Sequence, residues 1–146
     1  MNRRRFLQRI EGVSAAAAAC AAGLPLTGCI GFHYVTSRVS GNQVVVRRSE
    51  LGDGRFALVD VPSLALPVYL YLLDDGSWSA VSTRCMHRGC QVEPVAGHLV
   101  CPCHGSEYAN DGAVLKGPTR LPLRRLAARE EGDEIVIDVP DEARGW

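Results

Sequence analysis

The chain has 146 residues, of which 47% are hydrophobic and 22% are charged, with 16 basic and 16 acidic side chains. This length accommodates one compact domain, and the apolar content excludes an intrinsically disordered chain. Because the formal net charge is zero, the bulk electrostatics give no indication of nucleic-acid binding.

The N-terminal segment combines a basic start with an apolar run of small residues, which is the layout of an export signal. Its first ten residues, MNRRRFLQRI, resemble the twin-arginine pattern, in which two arginines are followed by any residue and then by Phe and Leu. The matching residues are Arg3, Arg4, Phe6 and Leu7. Bacteria use this route to export proteins that have already folded around a cofactor. The alternative is an ordinary basic signal that happens to contain three arginines.

The sequence LTGC at residues 26–29 resembles a lipobox, where bacterial lipoproteins are cleaved just before the cysteine that receives the lipid. We therefore expect a lipoprotein signal peptide over residues 1–28 and lipidation of Cys29. An uncleaved anchor is the alternative, because residues 12–32 contain no charged side chain and approach the roughly 20 residues of a membrane span. Their alanine, glycine and proline content disfavours such a span. Both interpretations tether the mature domain outside the cytoplasm.

The segment after the signal reads as a linker over residues 29–41, an all-β domain over residues 42–140 and a polar tail over residues 141–146. The stretches RFALVDV, PVYLYLL and SWSAV are rich in strand-favouring residues. The sequence DDGS between the last two is typical of a tight hairpin. A second hairpin is predicted where LRRLAA and EIVIDV flank REEGD. Since no segment shows sustained helical periodicity, we expect small antiparallel sheets.

Two short boxes, CMHRGC at residues 85–90 and CPCHGSEY at residues 101–108, concentrate the residues that can bind a metal. Each box offers one thiolate and one imidazole. The four candidate ligands are Cys85, His87, Cys101 and His104. Such a set could hold a tetrahedral zinc ion. It could also hold a 2Fe-2S cluster, with the two thiolates on one iron and the two imidazoles on the other.

Two further cysteines, Cys90 and Cys103, remain once four ligands are assigned, one in each box. A tetrahedral zinc site with four ligands does not need these two cysteines. In the oxidising compartment that an exported protein enters, two cysteines held close together would pair. Such a bridge would join the tips of the two loops, and the entropic estimate for a loop of this size is about 3 kcal/mol.

Together the two boxes resemble those of the Rieske iron-sulfur proteins, and the resemblance extends over residues from about 42 to 140. It implies a fold of three antiparallel sheets, with a 2Fe-2S cluster at the tip of two loops and two histidine rings near solvent. The residues that match the family pattern are the ligands Cys85, His87, Cys101 and His104, the disulfide pair Cys90 and Cys103, and the turn glycines Gly89 and Gly105. Gly117 and Pro118 resemble the start of the proline loop that covers the cluster.

The disulfide pair and two hydroxyl groups resemble the high-potential members of this family, which oxidise quinols or serve respiratory complexes. Ser106 and Tyr108 lie where those members have hydroxyls that donate to a bridging sulfide and to a ligand thiolate. The resemblance therefore implies that both residues tune the cluster. Oxygenase domains of the family and their ferredoxins usually lack the disulfide.

Two positions depart from the pattern of the quinol-oxidising members, which usually have Thr and Leu where this chain has Met86 and Arg88. An apolar tip suits docking into a membrane-embedded quinol pocket, whereas an arginine suits an acidic surface on a water-soluble partner. Arg88 therefore argues against direct quinol oxidation.

The sequence thus predicts a membrane-tethered one-electron carrier on the outer side of a bacterial cytoplasmic membrane, with no substrate of its own. Its expected partners are redox proteins such as a cytochrome c or a subunit of a membrane or molybdenum oxidoreductase. One alternative is the iron-sulfur subunit of a quinol-oxidising cytochrome bc-type complex or the small subunit of a molybdenum oxidoreductase. An alternative of another class is a zinc-binding structural module.

Overall fold

Three small β-sheets make up residues 32–146, the part of the chain that the computed structural model describes. The predicted export-signal residues Arg3, Arg4, Phe6 and Leu7 and the predicted lipidation site Cys29 lie outside the described residues. Apart from two short 3-10 helices, Arg48–Leu51 and Asp141–Gly145, the regular elements of this range are strands, so the predicted all-β class is confirmed. Within residues 32–146, no helix has the length and apolar character that crossing a membrane requires.

The first sheet contains five strands. They are β1 (Tyr34–Val35), β4 (Phe56–Val59), β5 (Val68–Leu72), β6 (Trp78–Ser82) and β11 (Arg125–Leu126). Their order is β1-β4-β5-β6-β11, and neighbours are antiparallel except β1 and β4. Gly76 has a φ of 83° in the turn between β5 and β6, so the hairpin predicted from DDGS is confirmed.

The second sheet contains four antiparallel strands. They are β2 (Arg38–Ser40), β3 (Gln43–Arg47), β12 (Ala128–Glu131) and β13 (Glu134–Asp138), in the order β12-β13-β3-β2. β-Branched residues of the two central strands, Val44, Val46, Ile135 and Ile137, are buried in one apolar core with residues of the first sheet. Each such side chain contributes roughly 1.5–3 kcal/mol by leaving water. This core also includes Trp78 and Ala80 of β6, the strand that leads into the first box.

The third sheet carries the two boxes. Its strands are β7 (Glu93–Val95), β8 (His98–Val100), β9 (Glu107–Tyr108) and β10 (Val114–Lys116), in the order β10-β9-β8-β7. The first box lies in the loop between β6 and β7, and the second comprises the loop between β8 and β9 together with β9 itself. A second apolar core supports both loops and includes Leu99, Tyr108, Cys85 and Cys101. Strands therefore hold both ends of each box in place.

The beginning of the folded domain differs from the prediction. Strands β1 and β2 lie within residues 29–41, which the sequence predicts as a linker, so the domain begins earlier than residue 42. Gly41 and Asn42 form the turn between β2 and β3, with Ser40 paired to Gln43. The alternation of apolar and polar residues is too short in two- and three-residue strands to be recognised in the sequence.

The end of the domain also differs in detail. A hairpin is confirmed in β12 and β13, but the stretch LRRLAA is divided between two sheets, because β11 pairs with β6 and β12 pairs with β13. The predicted polar tail is partly packed. Ala143 is fully buried and Trp146 packs against the main core. Hydrophobic pattern alone does not reveal where a strand changes sheets.

Candidate metal centre

The first box forms a tight loop that is closed by its own backbone. The N–H of Cys85 donates to the carbonyl of Cys90 at 2.8 Å, and the N–H of Gly89 donates to the carbonyl of Cys85 at 2.8 Å. Gly89 has a φ of 78°, in the left-handed region that favours glycine. The glycine therefore permits the loop to close with Cys85 pointing inward.

The second box repeats this arrangement. The N–H of Cys101 donates to the carbonyl of Ser106 at 2.8 Å, and the N–H of Gly105 donates to the carbonyl of Cys101 at 2.9 Å. Gly105 has a φ of 72°. Two similar loops thus present one cysteine and one histidine each, as the resemblance implies.

The structure places the predicted ligands in two pairs: the thiols of Cys85 and Cys101 interact with each other, and the rings of His87 and His104 are neighbours. The Cys85 and Cys101 side chains are free thiols and belong to residues that are only 2% and 1% exposed. The rings of His87 and His104 lie with their centroids 4.8 Å apart and their planes at 89°. His87 is half-buried and His104 is exposed, so the histidine side of the centre faces solvent.

One buried atom indicates what this group of residues is built to hold. Nδ1 of His87 is buried and has no hydrogen-bond partner among the described residues. A buried polar atom without a partner costs roughly 1–3 kcal/mol, so such atoms are rare unless a ligand satisfies them. An unpartnered imidazole nitrogen on the same loop as the buried thiol of Cys85 fits a metal centre with both nitrogen and sulfur donors.

The predicted disulfide is confirmed, since Cys90 and Cys103 are bonded to each other. It links the two box loops across 13 residues of sequence. The sulfur atoms of Cys90, Cys101 and Cys103 all lie within 4.8 Å of one another. The two disulfide sulfurs carry no thiolate charge, so within this trio only Cys101 retains a thiol that can ionise.

Tyr108, the predicted tuning residue on β9, reaches the first box. Its hydroxyl oxygen lies 3.3 Å from Sγ of Cys85 and accepts the backbone N–H of Met86 at 3.2 Å. Burial and the neighbouring Cys85 raise the pKa of Tyr108 to about 12. The hydroxyl therefore keeps its proton and can donate it to the sulfur of Cys85.

Ser106, the other predicted tuning residue, is fully buried in the second box. Its Oγ accepts the backbone N–H of Thr119 at 3.3 Å, which leaves the hydroxyl proton available to a further acceptor. Thr119 is buried and directly follows Gly117 and Pro118, which are exposed. The segment that resembles the covering loop is thus joined to the second box. The contact made by Thr119 could not be predicted from the sequence, because Thr119 contributes its backbone N–H, which every residue except proline has.

The two thiols differ in acidity. Burial raises the pKa of Cys85, but hydrogen bonds from Tyr108, from the backbone N–H groups of His87 and Arg88 and from the Cys101 side chain lower it below its ordinary value. Burial, followed by the neighbouring Cys85, raises the pKa of Cys101. The hydrogen bonds of the first box thus favour the ionised form of its thiol.

Comparison with known proteins identifies the class of this centre. Residues 34–127 match the family of the Rieske 2Fe-2S domain. The fold of small sheets and the buried thiols paired with imidazoles are those of an iron-sulfur electron-transfer protein. The chain belongs to the Rieske family and its cofactor is a Rieske-type 2Fe-2S cluster, which decides between the two metal sites that ligand spacing left open.

Relatives of similar length support this assignment. The chain is 32% identical over 147 residues to the cytochrome b6-f complex iron-sulfur subunit of Chlorobaculum tepidum, covering 94% of this chain and 76% of that protein. It is 30% identical over 155 residues to the cytochrome b6-f complex iron-sulfur subunit 2 of Trichormus variabilis, covering 94% and 84%. The solved structure of the cyanobacterial plasma membrane Rieske protein PetC3 from Synechocystis PCC 6803 matches with a TM-score of 0.56 and 34% identity, over 64% of this chain and 95% of that chain.

Proposed function

We propose that this chain is a membrane-tethered one-electron carrier, in which Cys85 and Cys101 bind one iron of the cluster and His87 and His104 bind the other. The observation that carries the ligand assignment is the unpartnered, buried Nδ1 of His87, on the same loop as the buried free thiol of Cys85. When bound, the cluster takes up and releases a single electron.

The donor set favours a high reduction potential. Two neutral imidazoles in place of two thiolates leave less negative charge at the site to oppose the arrival of an electron. Tyr108 lowers the electron density on the Cys85 sulfur by donating a hydrogen bond, which favours the reduced state further. We assign Ser106 the same role towards a sulfide of the cluster, because its proton is not used by Thr119.

We assign Gly117 and Pro118 the role of covering the cluster, and a contact of the following residue supports this assignment. The hydrogen bond between Thr119 and Ser106 holds their segment against the second box. A segment in this position limits the access of water to the sulfur side of the centre, and lower solvent exposure changes the potential of an iron-sulfur cluster.

Export by the twin-arginine route and a lipid on Cys29 would place the domain on the outer side of a bacterial cytoplasmic membrane. The support for this proposal is the match of Arg3, Arg4 and the LTGC sequence at residues 26–29 to those signals. Intact-mass measurement of protein from native membranes should find a chain that begins at Cys29 and carries acyl groups. A mature chain that begins at Met1 would contradict the lipid tether.

Film voltammetry and metal analysis test the carrier itself. The purified protein should contain two irons and two inorganic sulfides per chain and show a reversible one-electron couple without any added substrate. Stoichiometric zinc in a colourless protein would refute the proposal, because a zinc site has no redox activity.

A second candidate function is that of the iron-sulfur subunit in a cytochrome bc-type complex. Relatives named as subunits of cytochrome b6-f complexes favour it, whereas Arg88 at the tip of the first box argues against docking into an apolar quinol pocket. Mild detergent extraction of native membranes decides between the two. Co-purification with a cytochrome b would establish the complex, and a chain that elutes alone would favour the separate carrier.

A further inference from the structure

A cleft of about 310 Å³ opens beside the first box. The box loop forms one wall, and Arg124 and Trp146 contribute the other. Cys85 and His87, two of the proposed ligands, line the same cleft. A molecule bound in it would therefore contact the edge of the metal centre.

Three arginines, Arg84, Arg88 and Arg124, give this cleft its charge. None of the three forms an ion pair with a carboxylate of residues 32–146, and no acidic side chain lines the cleft. Ion pairs engage seven of the twelve Arg and Lys side chains in that range, and all seven lie outside the cleft. The range contains 15 acidic side chains against these 12, so the cleft is a local positive region on an acidic domain.

Two of the arginines are held in position. The guanidinium of Arg84 lies over Gly89, where an added Cβ would meet Nη2 at 3.2 Å. Cζ of Arg124 lies 5.1 Å from the centre of the Trp146 ring, a cation-π arrangement. Ser82 fixes both backbones, because its Oγ accepts the Arg84 N–H at 3.2 Å and its N–H donates to the Arg124 carbonyl at 2.8 Å. A guanidinium held in this way loses less conformational freedom when it binds a carboxylate.

We propose that this cleft is the docking site for a carboxylate-bearing surface loop of a redox partner protein, a proposal that rests on the electron-transfer function above. Guanidinium groups bind carboxylates through paired N–H donors. Unpaired cations also attract an acidic partner from a distance and orient its approach. Contact with Arg88 places the partner beside His87, on the histidine side of the proposed centre.

The test compares two oxidants of opposite charge in stopped-flow reactions with the reduced, cluster-loaded protein. Ferricyanide is an anion and tris(phenanthroline)cobalt(III) is a cation, and each accepts one electron to give ferrocyanide or the cobalt(II) complex. The double variant Arg88→Gln/Arg124→Gln should react roughly fivefold more slowly with ferricyanide at low ionic strength, because two positive charges are lost from its approach. Its reaction with the cobalt complex should not be slowed.

The matched control is Arg38→Gln/Arg129→Gln, which removes two exposed charges from the second sheet. It should leave both rates within about twofold of those of the unaltered protein. An unchanged ferricyanide rate in the cleft variant, or an equal slowing with both oxidants, would overturn the proposal. The absence of any one-electron couple in the unaltered protein would instead refute the proposed function.

Poly-L-glutamate serves as the probe for an acidic protein surface. It should suppress the ferricyanide reaction of the unaltered protein at carboxylate concentrations and ionic strengths where free glutamate has little effect. This suppression should be lost in Arg88→Gln/Arg124→Gln. If free glutamate is equally effective for the same number of carboxylates, the cleft binds small anions and the protein-docking proposal is wrong.

Discussion

The two metal-binding boxes have the same backbone arrangement but different surroundings. In each, the cysteine N–H bonds to the carbonyl five residues later, and the cysteine carbonyl accepts the N–H of a glycine four residues later. Tyr108 and an arginine-lined cleft surround the first box. The second box is instead joined to the segment after Pro118 through Ser106 and Thr119. The repeated backbone determines where ligands are presented, while the neighbours that are not repeated distinguish the chemistry of the two sides.

Replacement of a ligand thiol should have the largest effect of all on cluster binding. The effect should be the same for the two boxes. Cys85→Ser and Cys101→Ser should each abolish cluster binding, because a neutral hydroxyl does not replace a thiolate ligand of iron. Visible absorption and iron analysis of each purified variant provide the measurement. A coloured protein with a full complement of iron from either variant would show that this box has been assigned the wrong ligand.

The cysteines of the disulfide should behave differently from those ligands. The double variant Cys90→Ser/Cys103→Ser should retain a cluster of the same spectroscopic type, because neither sulfur is a proposed ligand. Loss of a cross-link over 13 residues should lower stability by about 3 kcal/mol in the chain-entropy model, which corresponds to a fall in Tm of roughly 10 °C or more. Thermal denaturation and EPR check the two parts, and failure to assemble any cluster would contradict the assignment.

The two turn glycines test the comparison at matched positions. Gly105→Ala should lower the free energy of unfolding by about 1–2 kcal/mol, because alanine is strained at a φ of 72°. Gly89→Ala should cost slightly more, since its Cβ would also lie 3.2 Å from the guanidinium of Arg84, which must shift to make room, whereas a Cβ at Gly105 meets nothing within 4 Å.

Chemical denaturation measures this difference. In an Arg84→Ala background the two glycine substitutions should become equally destabilising, because the obstructing side chain is gone. An unchanged difference in that background would show that Arg84 is not what distinguishes the boxes.

The hydroxyl groups should give the smallest effects. Tyr108→Phe and Ser106→Ala should each lower the midpoint potential by tens of millivolts, up to roughly 100 mV, while the cluster remains bound. A hydrogen bond to a charged group contributes about 1.5–3 kcal/mol, of which only the part that differs between oxidation states counts, and about 1.4 kcal/mol corresponds to about 59 mV. Voltammetry of the variants is the measurement. Unchanged midpoints would exclude both hydroxyls from tuning.

Much of the site could be predicted from sequence because its chemistry depends on residue type and short spacing. The boxes at residues 85–90 and 101–108 contain all four proposed ligands and both cysteines of the observed disulfide. The match to the family pattern also predicted that Tyr108 lies near a ligand thiolate, and the structure contains its contact with Cys85. The positions of Arg124 and Trp146 beside the first box could not be predicted, because the fold brings them there from 34 or more residues away.

The fold was predictable where strands are long and amphipathic or end in a clear turn, as in the hairpin of β5 and β6. It was not predictable where pairing is decided by distant partners. Strand β1 has two residues and pairs in parallel with β4, more than 20 residues later. The division of LRRLAA between β11 and β12 likewise depends on which sheet offers a free edge, and residue pattern does not contain that information.

The most direct test of the central claim, a cluster held by two thiolates and two imidazoles, is pulsed EPR on the reduced protein labelled with ¹⁵N-histidine. The account predicts couplings to two directly coordinated histidine nitrogens, of which His87→Ala or His104→Ala should remove one or destroy the cluster. A 2Fe-2S signal without any coordinated histidine nitrogen would contradict the account, because it would require Cys90 and Cys103 to serve as ligands instead of forming the disulfide.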